Sequence, residues 1–303
     1  MSDTLESLRH KIDGASDLES VVRSMKALAA SSISQYERSV RSLADYHRAV
    51  EMGLVVCLRQ GVRLQQRGSG HRNRIGAIVF GSDQGLVGQF NHVLADFVVA
   101  KLGPLRGEKI IWVVGERVQS CLTETGLTPA GVFTVPNSVE AITPLVGQIL
   151  VDCEAYREKH FFSELHLFHN RPKTGPLYEP AGQLLLPLDK VWQSELTELR
   201  WPTGNLPEAL GDSESLLRSL VREHLFVSLF RACAESLASE NASRLAAMQR
   251  AEKNIDDLLE NLNRTFHLAR QSAIDEELFD VISGFEALTR SQHRGNSAGQ
   301  PVR

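Results

Sequence analysis

From Leu5 onward the apolar positions advance in steps of three and four: Leu5, Leu8, Ile12, Ala15, Leu18, Val22, Met25, Leu28, Ile33, Tyr36, Val40, Leu43, His47, Val50 and Leu54. That alternation, kept up for about seven heptads, predicts one long helix carrying a coiled-coil seam. Helix breakers are scarce over the same stretch: no proline precedes Pro104, and Gly14 and Gly53 are the only glycines before Gly61. A second stripe runs through Leu217, Leu220, His224, Val227, Ala234, Leu237, Leu245, Met248, Ile255, Leu259, Leu262, Phe266, Ala269, Ala273, Val281 and Phe285. No proline falls between Pro207 and Pro301, and no glycine between Gly211 and Gly284. As single helices, Leu5–Leu58 and Asp212–Ser283 would be about 80 Å and about 108 Å long. Two such stripes on one chain bury each other most simply as an antiparallel pair. Small residues from Ala27 to Ser32 allow close approach midway. The second helix outruns the first, so part of it must stand alone or be enclosed. Phe266, Ile274, Leu278, Phe279, Val281, Ile282, Phe285 and Leu288 spread around more than one face there. A trimer or tetramer of coiled coils is another way to cover them.

Between the stripes the period changes. Gln66–Asn73 is a polar, glycine-containing link. Arg74–Phe80 reads as a buried strand, followed by a turn and a helix over Phe90–Leu102. Lys109–Gly115 is a second strand before a helix over Glu116–Thr125, and Gly131–Val135 a third before a helix over Ser138–Lys159. Glu164–His169 and Gln183–Leu188 complete the set. Strands alternating with helices of this length predict a mostly parallel sheet covered on both faces. The fold class is therefore α/β: a long antiparallel coiled coil of the terminal helices with an inserted Rossmann-like domain. The boundaries fall at 1–65, 74–200 and 208–288. Residues 289–303, interrupted by Gly295, Gly299 and Pro301, are expected to form a flexible tail.

Composition adds little beyond bounds. At 303 residues, 42% hydrophobic and 23% charged, the chain has enough apolar material for a core. A net charge of −4 argues against a dedicated nucleic-acid binder. Residues 1–72 carry 11 Lys and Arg against 8 Asp and Glu, and residues 206–290 carry 9 against 15, a contrast that favours pairing of the two helices. Cys57, Cys121, Cys153 and Cys233 are scattered, so they read as reduced thiols and not as a disulfide or zinc framework. The acidic, polar start is not expected to be a signal peptide. No apolar run approaches the ~18–20 residues that span a bilayer, so direct membrane insertion is not expected.

Candidate chemistry is thin. The turn after the first strand, Gly81–Asn91, is glycine-rich, and such a turn can cradle phosphate on backbone amides. Its G-x-x-x-G-x-x-G spacing matches neither a dinucleotide fingerprint nor a phosphate-binding loop with its GK[ST] triplet. Tight turning and close helix–sheet contact explain the glycines as well. His160, His166 and His169 resemble a ligand cluster, yet His166 and His169 lie three apart on a strand and should face opposite ways. Cys153 on an apolar helix face reads as an inert thiol. No catalytic, cofactor or metal residue is assigned.

Several blocks together resemble the gamma subunit of F-type ATP synthases. Leu8-Arg9-His10-Lys11-Ile12 and Ser24-Met25-Lys26-Ala27-Leu28-Ala29-Ala30-Ser31 are similar to the family's N-terminal blocks at the same separation. Ser82-Asp83-Gln84-Gly85-Leu86-Val87-Gly88-Gln89-Phe90-Asn91 resembles its first turn, and Gln183–Leu188 its closing strand. The most specific likeness runs from Glu235 to Met248, followed by Ala269–Ile274 and Ile282–Gly284. At Asp13, Ser16, Ser20, Ser32 and Ser34 the family usually carries Lys or Arg, so this helix is less basic.

The resemblance covers Leu5–Leu288. It implies a central rotor stalk without a catalytic site of its own, coupling ion flow to ATP synthesis or hydrolysis. The implied partners are an alpha3-beta3 ring, an epsilon subunit and a membrane c-ring. The implied place is the cytoplasmic face of a bacterial inner membrane. Carried over position by position, the coupling and subunit-interface candidates are Arg9, Lys11, Arg23, Met25, Lys26, Asp83, Gly85, Arg244, Asn254, Arg270 and Gln271. The rival from another class is a nucleotide-binding α/β enzyme with a coiled-coil dimerisation arm. A passive coiled-coil scaffold is a third reading.

Overall fold

The computed structural model describes residues 4–59, 74–159, 162, 164–173, 178–188, 207 and 212–296, with side chains through residue 285. The expected link Gln66–Asn73, His160 and the last residues of the chain lie outside them. The first helix, α1, spans Leu5–Arg59, and the last, α5, spans Ser213–Asn296. Thr4 accepts the Ser7 amide at 3.3 Å, and the Asp212 carboxylate accepts the Glu214 and Ser215 amides at 3.2 and 3.1 Å. These side chains cap the two helix starts, where amides have no partner within the helix. At its other end α5 passes the expected boundary at 288 and continues to Asn296, because neither Pro nor Gly intervenes between Gly284 and Gly295.

Between the long helices come β1 (Arg74–Phe80), α2 (Phe90–Leu102), β2 (Glu108–Val114), α3 (Glu116–Glu124), β3 (Gly131–Phe133), α4 (Ile142–Lys159), β4 (Glu164–Pro172) and β5 (Tyr178–Leu186). The sheet order is β3-β2-β1-β4-β5, with the first four strands parallel and β5 antiparallel at an edge. Alternation along β1 and β2 sorts the core into two layers. Ile75, Ala77, Val79, Ile111 and Val113 pack with Leu94 and Val98 of α2 and Val118 and Leu122 of α3. Ile78, Phe80, Ile110, Trp112 and Val114 point the other way, into a cluster that contains α4 and the inner parts of both long helices.

The chain falls into two compact units that cut across both long helices: Lys26–Ala247, and Met1–Met25 with Met248–Arg303. Within the first of these, Gly53 lies against Leu220, His47 stacks on His224 at 5.7 Å, and the Tyr46 hydroxyl donates to Glu223 at 2.7 Å. Advancing along α1 means retreating along α5, so the pairing is antiparallel. Almost every residue of α5 from His224 to Ser243 is buried, because this stretch is covered by α1 and by the sheet domain.

Along α1 the fully buried positions Leu8, Ala15, Val22, Ala29 and Tyr36 recur every seven residues. The stripe expected from the sequence is corrected at two places: Leu18 and Leu28 are 58% and 69% exposed. A strict three-four alternation from Leu8 lands on Glu19 and Ala29 instead, and there a small side chain and a charged side chain's aliphatic stem occupy the seam. On α5, Val281 and Phe285 are likewise exposed, not seam positions.

Candidate functional site

A densely bonded polar region lies at the carboxyl ends of β1 and β4, where the sheet's strand order reverses. In an open α/β sheet this is the crevice in which a ligand would sit. Here α5 crosses it. Ser236 Oγ donates to the Phe80 carbonyl at 3.1 Å, and Ser243 Oγ donates to the Val87 carbonyl at 2.6 Å. His169 on β4 meets Glu235 through Nε2 at 2.8 Å, and Arg231 reaches the other oxygen of that carboxylate at 2.7 Å. Burial pushes the Glu235 carboxyl up, but the bonds from His169 and Arg231 outweigh it and hold the group below the usual range.

The turn's own side chains are committed inward as well. Asn91 Oδ1 accepts the Ser82 amide at 3.0 Å while its Nδ2 donates to Ser82 Oγ at 2.8 Å. Asn170 Nδ2 donates to the Phe90 carbonyl at 3.0 Å. Asp83 accepts the Glu116 amide on one oxygen at 3.0 Å and the Val135 amide on the other at 2.9 Å, tying the turn to the start of α3 and to the segment after β3. Two glycines have steric duties: a Cβ on Gly81 would sit 2.3 Å from Val118, and Gly88 has φ +60°. Gly85 has no atom within 4 Å of where its Cβ would be, so close packing does not require glycine there.

Because each Asp83 oxygen holds one backbone amide at a net worth of about 1 kcal/mol, Asp83→Ala should destabilise the fold by about 2 kcal/mol. Asp83→Asn, which keeps one carbonyl acceptor, should lose about half of that. Urea unfolding of both variants checks the ranking, and equal stability of all three proteins would contradict it.

One turn beyond Glu235 on α5, Glu240 is buried and pairs with Arg244 at 2.6 Å. Burial raises the Glu240 carboxyl above its ordinary value; Arg244 pulls it back in part, and the Asp83 charge pushes it further up. Tyr36 of α1 is raised by burial first and also by the charge of Glu240, so it belongs to the same electrostatic neighbourhood.

Of the sequence-derived candidates, the structure brings together Asp83 and Arg244 around Glu240, with internal bonds for each. Lys26 is half-buried in the same unit. Arg9, Lys11 and Arg23 are exposed on α1, Arg23 pairing with Glu19, and Met25 is half-buried. Asn254, Arg270 and Gln271 are exposed on α5. Missed by the sequence reading were His169, Glu235, Ser236, Glu240 and Ser243. Four of these lie in the Glu235–Met248 block, and their small or acidic type on an otherwise apolar helix was the available signal.

His166 and His169 have separate carboxylate partners, Glu164 and Glu235. Among the described residues no group of three or more His, Cys, Asp or Glu side chains is placed to hold a metal ion, and no helix is long and apolar enough to cross a membrane. All four cysteines are free and buried, and burial pushes the Cys153 thiol up to about 12.

A family profile described as ATP synthase matches residues 4–288. The chain is 23% identical to the ATP synthase gamma chain of Bdellovibrio bacteriovorus, over 94% of this chain and 99% of that one. It is 25% identical to the ATP synthase gamma chain of Chloroflexus aurantiacus, over 93% and 98%. Among solved structures, a chain of the Euglena gracilis mitochondrial ATP synthase superposes with a TM-score of 0.62 at 16% identity, covering 99% of this chain and 98% of that one. A chain of the Tetrahymena thermophila mitochondrial ATP synthase, from its central stalk and c-ring, superposes with a TM-score of 0.54 at 18% identity, covering 76% and 99%. At such identities the structural likeness is one of fold.

Proposed function

The chain belongs to the ATP synthase gamma family, and from that premise we propose that it is the central rotor stalk of a rotary ATPase. It couples ion flow through a membrane c-ring to conformational change in an alpha3-beta3 ring, with an epsilon subunit bound to the sheet domain. The complex sits at the cytoplasmic face of a bacterial inner membrane. The observation that carries this reading is the match over residues 4–288, in a chain whose α5 is bolted to its sheet domain by Ser236, Ser243 and the His169–Glu235–Arg231 group.

The bolt explains a mechanical need. A torque entering through the sheet domain reaches α5 only if the two turn as one body, and buried hydrogen bonds fix their register. One asymmetric shaft inside a threefold ring presents a different face to each catalytic site, which biases those sites toward different nucleotide affinities; this is coupling between distant sites. Such a part needs stiffness and asymmetry and no catalytic groups of its own. The nucleotide-enzyme alternative fares worse, since its crevice is crossed by α5 and the side chains of Ser82, Asp83 and Asn91 in the turn are already paired.

The coupling surface is assigned to Arg9, Lys11, Arg23, Met25 and Lys26 on α1 and to Asn254, Arg270 and Gln271 on α5, while Asp83, Gly85 and Arg244 belong to the turn and its support. Arg270 and Gln271 are the sharpest test because both are exposed and neither closes a side-chain bond among the described residues. With alanine at both positions, the complex should lose most of its ATP-driven ion pumping in inverted membrane vesicles, with the chain's helicity by circular dichroism unchanged. Normal pumping, or an equal loss of helicity, would remove them from the coupling surface. Failure of the wild-type chain to purify with alpha and beta subunits would overturn the rotor assignment itself.

A further inference from the structure

The distal part of α5 changes its polarity pattern within one helix. Ile255, Leu259, Leu262, Phe266, Ala269 and Ala273 are half-buried and follow the three-four alternation, in the compact unit that also holds the buried Leu8, Ala15 and Val22 of α1. The next positions of that same stripe are Glu276 and Asp280, both exposed. At about 100° per residue, Ile274, Leu278, Val281 and Ile282 share one narrow arc, and the carboxylates Asp275, Glu276, Glu277 and Asp280 spread around the rest of the helix. Those four apolar side chains are between 46% and 70% exposed. The helix thus turns its apolar face away from the α1 side and replaces the seam with carboxylates.

We propose that residues 274–282 engage a partner lining that carries cationic as well as apolar side chains. The proposal rests on the rotor reading above and specifies the chemistry of the surface that surrounds this segment. No Lys or Arg occurs between Arg270 and Phe285, and Asp275, Glu276, Glu277 and Asp280 have no ion pair among the described residues. Enclosing four carboxylates without counter-charge is costly, so the enclosing surface supplies it. A second copy of this chain does not fit, because laying one stripe beside its equal sets carboxylate against carboxylate. An anionic lipid surface is repelled for the same reason. In a ring of repeated subunits each copy meets the carboxylates and the apolar arc in turn, so each copy carries both kinds of side chain.

The test compares two triple variants in the assembled complex: Glu276→Gln, Glu277→Gln, Asp280→Asn, and the same three positions changed to Lys. Both should keep the isolated chain's helicity. ATP-driven pumping should stay within about twofold of wild type in the neutral variant and fall about tenfold or more in the reversed one, since like charges across an interface are strongly disfavoured. Pumping at wild-type level in the lysine variant would overturn the cationic lining, as would an equal loss in both variants. Self-association of the wild-type chain through this segment in sedimentation would overturn it too, in favour of a second copy. Each of these results leaves the rotor reading standing, which falls instead if the wild-type chain does not purify with alpha and beta subunits.

Discussion

Arg244→Ala is expected to be the most damaging single substitution in the helix pair, at about 3 kcal/mol near pH 8, because breaking a buried ion pair strands the remaining charge. The stranded group is Glu240, whose side chain is 6% exposed beside an Arg244 that is itself only 15% exposed. Asn241 Oδ1, 3.4 Å from Arg244 Nη1, loses a weaker contact. The damage should depend on pH in a definite direction. The Glu240 carboxyl is raised in the folded state chiefly by burial, and removing Arg244 raises it further. A group whose folded value lies above its unfolded one contributes stability below the unfolded value and loses it as pH climbs through the folded one. The variant should therefore lie closest to wild type in acid and fall away as pH rises. Adding Glu240→Gln should recover most of the loss at pH 8, since an amide carries no charge to strand. Urea unfolding of the four proteins of this cycle at low and high pH supplies the measurement. A penalty independent of pH, or no rescue by glutamine, would mean that Arg244 acts through packing alone.

Much of the fold was legible because its signals are local. The three-four alternation and the missing breakers marked α1 and α5, and α2 was bounded at Phe90 and Leu102 by its own sequence. Boundaries slipped where the deciding partner was distant. Gln183–Leu188 reads as the last strand, yet β5 spans Tyr178–Leu186 and runs through Pro180 and Gly182. It is an edge strand, and an edge tolerates residues that a central strand does not. The seam passes Leu28 for Ala29, 1% exposed, because close helix approach selects the small residue, and it passes Leu18 for the aliphatic stem of Glu19, which hydrophobicity alone does not mark. The Glu235–Ser243 anchors were invisible for a related reason. Which face of α5 meets the ends of β1 and β4 depends on docking two segments about 150 residues apart, as in the separation of 156 between Ser236 and Phe80. No period within a single helix encodes that.

Acid should weaken the joint between α1 and α5 before it weakens the sheet, and His224 is the reason. Its ring is 4% exposed and stacks on His47 at 5.7 Å with 28° between planes. Burial first, and the neighbouring His47 second, lower the His224 ring from 6.5 to about 4. A histidine depressed in the folded state keeps its full contribution above the unfolded value and loses it as pH falls through the folded one. The window therefore opens below about pH 6.5 and closes near pH 4, and at about 1.4 kcal/mol per pH unit the group contributes about 3 kcal/mol across it. The charged and titratable neighbours on both helices are His47, Glu51, which lies 3.6 Å from His47, and Glu223, which accepts from Tyr46. His224→Phe keeps an aromatic ring of similar size but cannot take a proton. It should leave stability at pH 7.5 within about 1 kcal/mol of wild type and flatten the decline between pH 6.5 and 4, the cost of a conservative buried swap being small beside the linkage lost. Unfolding curves of the two proteins at half-unit pH steps would display the difference. Parallel acid limbs would show that His224 stays neutral throughout and that carboxylates elsewhere carry the acid response.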